Sequence, residues 1–163
     1  TGPPGDAGDQ ATGRTPAGGG PPAPAGTTTA PARCPGGALE AQFRAGTPGT
    51  GNVGLRNRSA VACSLSGYPD LQLLHRDEPV STHTVHQPGQ SPVVVVAPGV
   101  TAWSEMSWST RAGDGEPTSG ACQPSADAIA VFPPGDLTQL TVAYAAGPVC
   151  AFGQITLAPL TAG

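Results

Sequence analysis

His75, His83 and His86, with Asp77 and Glu78 between them, are the densest collection of metal-ligating side chains in the chain. Imidazole is a common zinc ligand, and three protein ligands with a water make a catalytic zinc site. The spacing opposes that use. His83 and His86 are three apart, so in an extended segment they point to opposite faces. Only the Gln87-Pro88-Gly89 turn nearby would bring them round. They are read as exposed loop and strand histidines, and no metal ligand is assigned.

Nucleophilic catalysis needs an activated Ser or Cys beside a base and an orienting acid. No serine here stands in a Gly-x-Ser-x-Gly elbow. Carboxylate pairs for glycoside hydrolysis are conceivable from Glu105 with Asp127, or from Asp70 with Asp77. Acidic residues are few and mostly placed in turns, so solvated surface charge is the better reading. The Gly-rich string at Ala17 to Gly20 lacks the flanking strand and helix of a phosphate loop. No catalytic residue, cofactor or cofactor-binding residue is assigned, and the chain is not expected to be an enzyme.

Cys34, Cys63, Cys122 and Cys150 are an even number without a C-x-x-C pair. Zinc and thioredoxin-like sites use that close spacing, so two structural disulfides and an exported protein are expected. Three pairings are open to four cysteines. The one joining neighbouring segments, Cys34 with Cys63 and Cys122 with Cys150, is favoured, because the first pair flanks a hairpin-like unit from Ala38 to Asn57. Each would close a loop worth about 3–4 kcal/mol in the loop-entropy picture.

The elements that must position these residues are short. From Cys34 onward, β-branched and apolar runs alternate with Gly and Pro at spacings of about eight to twelve residues. Strands are predicted over Ala38 to Arg44, Asn52 to Asn57, Ala62 to Leu65, Leu71 to His75 and Thr82 to His86. Five more follow: Val93 to Ala97, Thr101 to Ser109, Ala128 to Phe132, Leu140 to Ala145 and Ala151 to Ala158. Turn chemistry separates them, as at Thr47-Pro48-Gly49, Gly67-Tyr68-Pro69 and Pro133-Pro134-Gly135. Many short strands without a helical stripe imply an antiparallel sandwich or barrel.

Alternation assigns faces. Ala102, Ser104, Met106 and Trp108 share one face, with Met106 and Trp108 in the core. Trp103, Glu105 and Ser107 share the other, so Trp103 is an exposed aromatic unless a bulge reverses the register. Leu71 with Leu73, Ile129 with Val131 and Ile155 with Leu157 read as inward pairs. Val93 to Val96 is either a strand covered on both faces or an edge protected by Pro92 and Pro98.

Residues 1–33 are almost wholly Gly, Pro, Ala, Thr and Asp, with no Leu, Ile, Val or aromatic residue. Nothing there offsets the entropy of ordering the backbone, so 1–33 is expected to be a disordered low-complexity linker and 34–163 the domain. A formal charge of −4 with seven basic residues, all Arg and unclustered, argues against nucleic acid as a partner. An all-Arg, Ala- and Gly-rich composition points to a high-GC, actinobacterium-like source. No apolar run approaches the ~20 residues needed to span a bilayer. The chain opens on Thr1, and an export signal, removed or outside this sequence, is expected before it.

Cys34, Asn57 to Ser59, Cys63 with Leu65, Gly67-Tyr68-Pro69, Pro98-Gly99, Ala102, Trp108, Cys122 and Cys150 form a combined pattern. It resembles the actinobacterial secreted and lipoprotein family known as domain of unknown function 4232, across Cys34 to Ala158. The resemblance implies an extracytoplasmic immunoglobulin-like β-sandwich behind a signal peptide or lipobox and a linker. It supplies no catalytic residue. Any membrane association would come only through an N-terminal lipid anchor outside this chain, whose cysteine the chain does not contain.

Asn57-Arg58-Ser59 is formally a glycosylation sequon but is read as the turn after a strand, where Asn and Ser bond to the backbone. Tyr68 is expected to cap the core beside Cys63, with an exposed contact role as its alternative. The expectation is thus an all-β, immunoglobulin-like antiparallel sandwich with two disulfides, tethered in the cell envelope or secreted, monomeric and non-enzymatic. It would bind an envelope protein or polymer through Trp103, Tyr68 and the loops Arg76 to Pro92 and Arg111 to Cys122. The alternatives are a small envelope hydrolase or metal-binding protein, and a lipid- or lipoprotein-handling accessory with a hollow interior.

Overall fold

The structure is a computed structural model, and residues 31–162 of it are described. Twelve strands run β1 Leu39–Ala45, β2 Thr50–Asn57, β3 Cys63–Leu65, β4 Asp70–His75, β5 Glu78–Pro79 and β6 His83–His86, then β7 Val94–Val96, β8 Thr101–Trp108, β9 Ala128–Phe132, β10 Leu140–Ala143, β11 Gln154–Leu157 and β12 Thr161–Ala162. One sheet has the order β1-β2-β8-β11-β6, with β12 also on β8. The facing sheet is β10-β9-β4-β5, and β3-β7 forms a two-stranded flap. All ladders are antiparallel except β6 with β11, which is parallel. The chain therefore adopts the expected all-β sandwich.

The core is built by alternation. Val53 and Leu55 of β2, Met106 of β8, and Ile155 and Leu157 of β11 face Leu73 of β4 and Ile129 and Val131 of β9, all nearly inaccessible to water. Ala102, Ser104 and Trp108 share the inward face of β8 with Met106, while Trp103 is half-buried and Glu105 exposed, with no reversal of register. Tyr144 fills the space beside Phe43 and Trp108, at ring separations of 5.1 and 6.0 Å. Its hydroxyl donates to Gly147 O, and burial pushes the phenol up to about 12.

The disulfides join Cys34 to Cys63 and Cys122 to Cys150, the favoured pairing. The first pins the β1–β2 hairpin to β3. The Val93 to Val96 run is an edge: Val94 and Val96 are buried, whereas Val93 and Val95 are 59% and 52% exposed. Double-sided cover is thereby ruled out. The folded unit takes in part of the expected linker, because Ser64 N–H donates to Ala32 O and Ser64 Oγ donates to Pro31 O. The linker reading of 1–30 falls outside the described residues.

The predicted last long strand, Ala151 to Ala158, is divided. Gln154–Leu157 is extended, but Ala151, Phe152 and Gly153 all have left-handed φ, at 55°, 55° and 80°. Ser81 O lies where a Cβ on Gly153 would stand, so that position needs glycine on both counts. No helix among the described residues is long and apolar enough to cross a membrane.

Candidate functional site

Neighbouring strands β1, β2 and β8 turn the same polar face outward. β1 contributes Glu40, Gln42 and Arg44, β2 contributes Asn52, Gly54 and Arg56, and β8 contributes Thr101, Trp103 and Glu105. Trp103 lies directly across from Gly54, and a Cβ there would come within 2.7 Å of the indole. The missing side chain lets the indole lie flat on the sheet and reach β1. Arg44 closes over it, its guanidinium carbon 4.2 Å from the ring centroid, a cation–π stack.

The flanking side chains are tied down more loosely. Thr101 Oγ1 donates to Gln42 Oε1 at 3.1 Å, and Arg56 reaches Glu40 at 3.5 Å. Among the described residues that is the only ion pair, so Arg44 is stacked but carries no carboxylate partner. A groove of about 370 Å³ runs beside it, lined by Glu40 through Arg44, Trp103 and Val142. Its lining mixes apolar Ala41, Phe43, Trp103 and Val142 with polar Glu40, Gln42 and Arg44. A guanidinium held on an indole presents planar donors suited to a carboxylate or other anionic oxygen group.

Tyr68 lies elsewhere, with β11 between its neighbour β6 and the strand that carries Trp103. Its ring stacks on His86 at 4.0 Å, its hydroxyl donates to Gln87 O, and it packs against the core. The ring thus sits in the structural corner position, with its polar end already occupied.

The other residues singled out for chemistry are dispersed. His75, at the end of β4, contacts Ser125 O at 2.8 Å, while exposed His83 and His86 begin and end β6. Asp70 and Asp77 flank opposite ends of β4. Glu105 is exposed on the outer face, and Asp127 accepts the Arg76 N–H. The one cluster of three ligand-type groups among the described residues is Glu116 with Cys122 and Cys150, whose sulfurs are joined to each other.

Glu116 is a residue that sequence reasoning passed over. Its buried carboxylate accepts N–H donors from Gly113, Ala151 and Phe152 and the Gln123 side chain, at 2.7–2.8 Å. Burial pushes the carboxyl up, but these bonds outweigh it and hold it down at about 2. The carboxylate and the Cys122–Cys150 bond together lock the Arg111 to Cys122 loop onto the left-handed turn. Phe152 is left 49% exposed there. An open concavity of about 420 Å³ lies beside the disulfide, lined in part by Arg111, Pro117 and Pro148.

A family model described as Domain of unknown function (DUF4232) matches residues 34–161. The chain belongs to this family. Comparison with curated proteins and with solved structures returned no match. In this DUF4232 domain the residues of the recognised pattern gather in the scaffold. Asn57 is fully buried, donates to Val61 O and Val96 O, and accepts from Ser59. Arg44 and Gly54 lie outside that pattern; alternation around Trp103 was the only signal pointing toward them.

Proposed function

We propose that this DUF4232 domain is a non-enzymatic extracytoplasmic module that acts by contact. Its contact face is centred on the Trp103–Arg44 stack. The observation that carries this is the Arg44 guanidinium, which is desolvated on one side by Trp103, has no carboxylate partner among the described residues, and borders a groove. The partner is an envelope protein or polymer that presents carboxylate or similar oxygen groups. Two disulfides fit an oxidising compartment. The dispersal of the histidines and paired carboxylates supports a binding role over hydrolysis. Residues 1–30 would act as a tether that holds the domain away from a surface.

Photo-crosslinking in native envelope, with mass-spectrometric identification of the captured species, tests this. Trp103→Ala should abolish capture while the melting temperature stays within a few degrees, because the indole is half-buried on the outer face. Undiminished capture by Trp103→Ala would remove the assignment of this face.

A further inference from the structure

We propose that the partner held on the outer face of β1, β2 and β8 is a polysaccharide, one whose sugars offer hydroxyl groups with a carboxylate at intervals. This rests on the contact-face reading and names the chemistry that the face recognises.

The strand register sets the outward side chains in rows that cross the sheet. Arg44, Asn52 and Glu105 lie abreast on β1, β2 and β8, next to the row of Gln42, Gly54 and Trp103. Apolar side chains are scarce here. The exposed large hydrophobics among the described residues are Val61, Val93, Val95, Val100, Leu137 and Phe152, and none of them stands on β1, β2, β8 or β11. Trp103 is the one large aromatic of the two rows, and its ring is already covered, by Gly54 on one side and the Arg44 guanidinium on the other. Protein interfaces are built around a buried apolar centre, and this face has none to offer.

Its resource is unspent hydrogen-bonding capacity. Among the described residues, Gln42 is the only one of these side chains in a hydrogen bond, accepting from Thr101 through Oε1. Arg44, Asn52 and the Gln42 amide nitrogen therefore hold free N–H donors, and Asn52 Oδ1 and the Glu105 carboxylate are free acceptors. Glu40 and Arg56 pair with each other. The charges left on these strands are Arg44 and Glu105, opposite in sign, with the Asn52 amide between them.

That arrangement selects among polymers. A densely charged polyanion meets repulsion at Glu105, and a neutral glycan leaves the Arg44 guanidinium without a partner. A sugar chain with spaced carboxylates satisfies both. Arg44 takes the carboxylate in a two-pronged, charge-assisted bond, while Asn52 and Glu105 take hydroxyl groups, which both donate and accept. Arg44 and Glu105 stand two strand spacings apart, about 10 Å, the scale of a disaccharide. Paired strands hold all of these groups in place before contact, so little is lost in ordering them.

Chemical-shift titration of the full chain reads this directly. The probes are a tetrasaccharide of alternating N-acetylglucosamine and N-acetylmuramic acid, with a carboxylate on alternate sugars, and chitotetraose, which has none. The acidic sugar should bind with a dissociation constant of roughly 1 mM or below, moving amides of β1, β2 and β8, and chitotetraose should bind about tenfold more weakly. Arg44→Gln should erase that preference. Asn52→Ala should weaken both sugars about fivefold at an unchanged melting temperature, because its amide bonds to nothing within the described fold. No saturable shift with either sugar up to about 10 mM, equal binding of the two by the wild type, or binding indifferent to Asn52→Ala would overturn the proposal. Envelope capture that Trp103→Ala abolishes, with neither sugar bound, would remove the polysaccharide and leave the contact face standing.

Discussion

Replacing Asn57 with aspartate tests the scaffold at its most constrained polar position. Asn57 is fully buried, and its amide uses both ends. Nδ2 donates to Val61 O at 2.8 Å and Val96 O at 2.9 Å, while Oδ1 accepts from Ser59 N and Oγ. Aspartate keeps the shape and the acceptor but turns an oxygen toward two carbonyls. Two donated bonds vanish, two carbonyls lose a partner and a buried charge gains no counter-ion. Together these cost about 3–5 kcal/mol at neutral pH, or roughly 10–20 °C in melting temperature for a domain of this size.

The loss carries a pH signature. Burial and the facing carbonyls disfavour the ionised form, so the folded pKa of the new carboxyl lies above its unfolded value of about 3.9. A raised folded pKa means stability that is present below the unfolded value and lost as pH rises through the folded one. The deficit against wild type should therefore shrink on acidification, because a protonated carboxyl restores one donor. Asn57→Ala removes the side-chain bonds without adding a charge, so its deficit should not change with pH. Urea denaturation followed by tryptophan fluorescence, at neutral pH and near pH 4, with both disulfides intact, measures both effects. A neutral-pH deficit below about 1 kcal/mol for the aspartate variant, or one that does not shrink in acid, would refute the reasoning.

Two more perturbations address the loop end. The Glu116 carboxyl is lowered from 4.5 to about 2, so its contribution is present above the unfolded value and lost as pH falls through the folded one; Glu116→Gln should flatten acid destabilisation over that window, read from urea midpoints against pH. Replacing Cys122 and Cys150 together with serine opens a loop of sequence separation 28; it should cost about 3–4 kcal/mol and steepen the urea dependence, because the freed unfolded chain exposes more surface.

Where local pattern and tertiary environment agree, the fold was legible. Inward Met106 and Trp108 and outward Trp103 and Glu105 follow from period-two alternation, and β8 is regular because β2 covers one side and β11 and β12 the other. The disulfide pairing was legible because each bond closes a local unit. What escaped depended on distant partners. Alternation fixes the face of a strand but not its neighbour, so the parallel pairing of β6 with β11 left no trace in either segment. Ala151 and Phe152 read as the start of a strand, yet Glu116, thirty-five residues upstream of Ala151, captures their amides and turns the chain left-handed. A glutamate in a Gly- and Pro-rich loop looks like solvent-facing charge until the turn it clamps is known.

The same division explains why the family pattern is silent about activity. Asn57, Cys63, Tyr68 and Trp108 are engaged in core packing, a disulfide or saturated bonds, leaving little to offer a partner. Trp103 and Arg44 touch one another on the outside of a sheet whose other face is the core. Their strands are held rigidly: β8 is central, and the β1–β2 hairpin follows directly on the Cys34–Cys63 bond. A partner meeting this face finds backbone already ordered, so little contact energy is spent on immobilising it. A small groove with one stacked guanidinium can thus suffice for specific contact without a deep pocket.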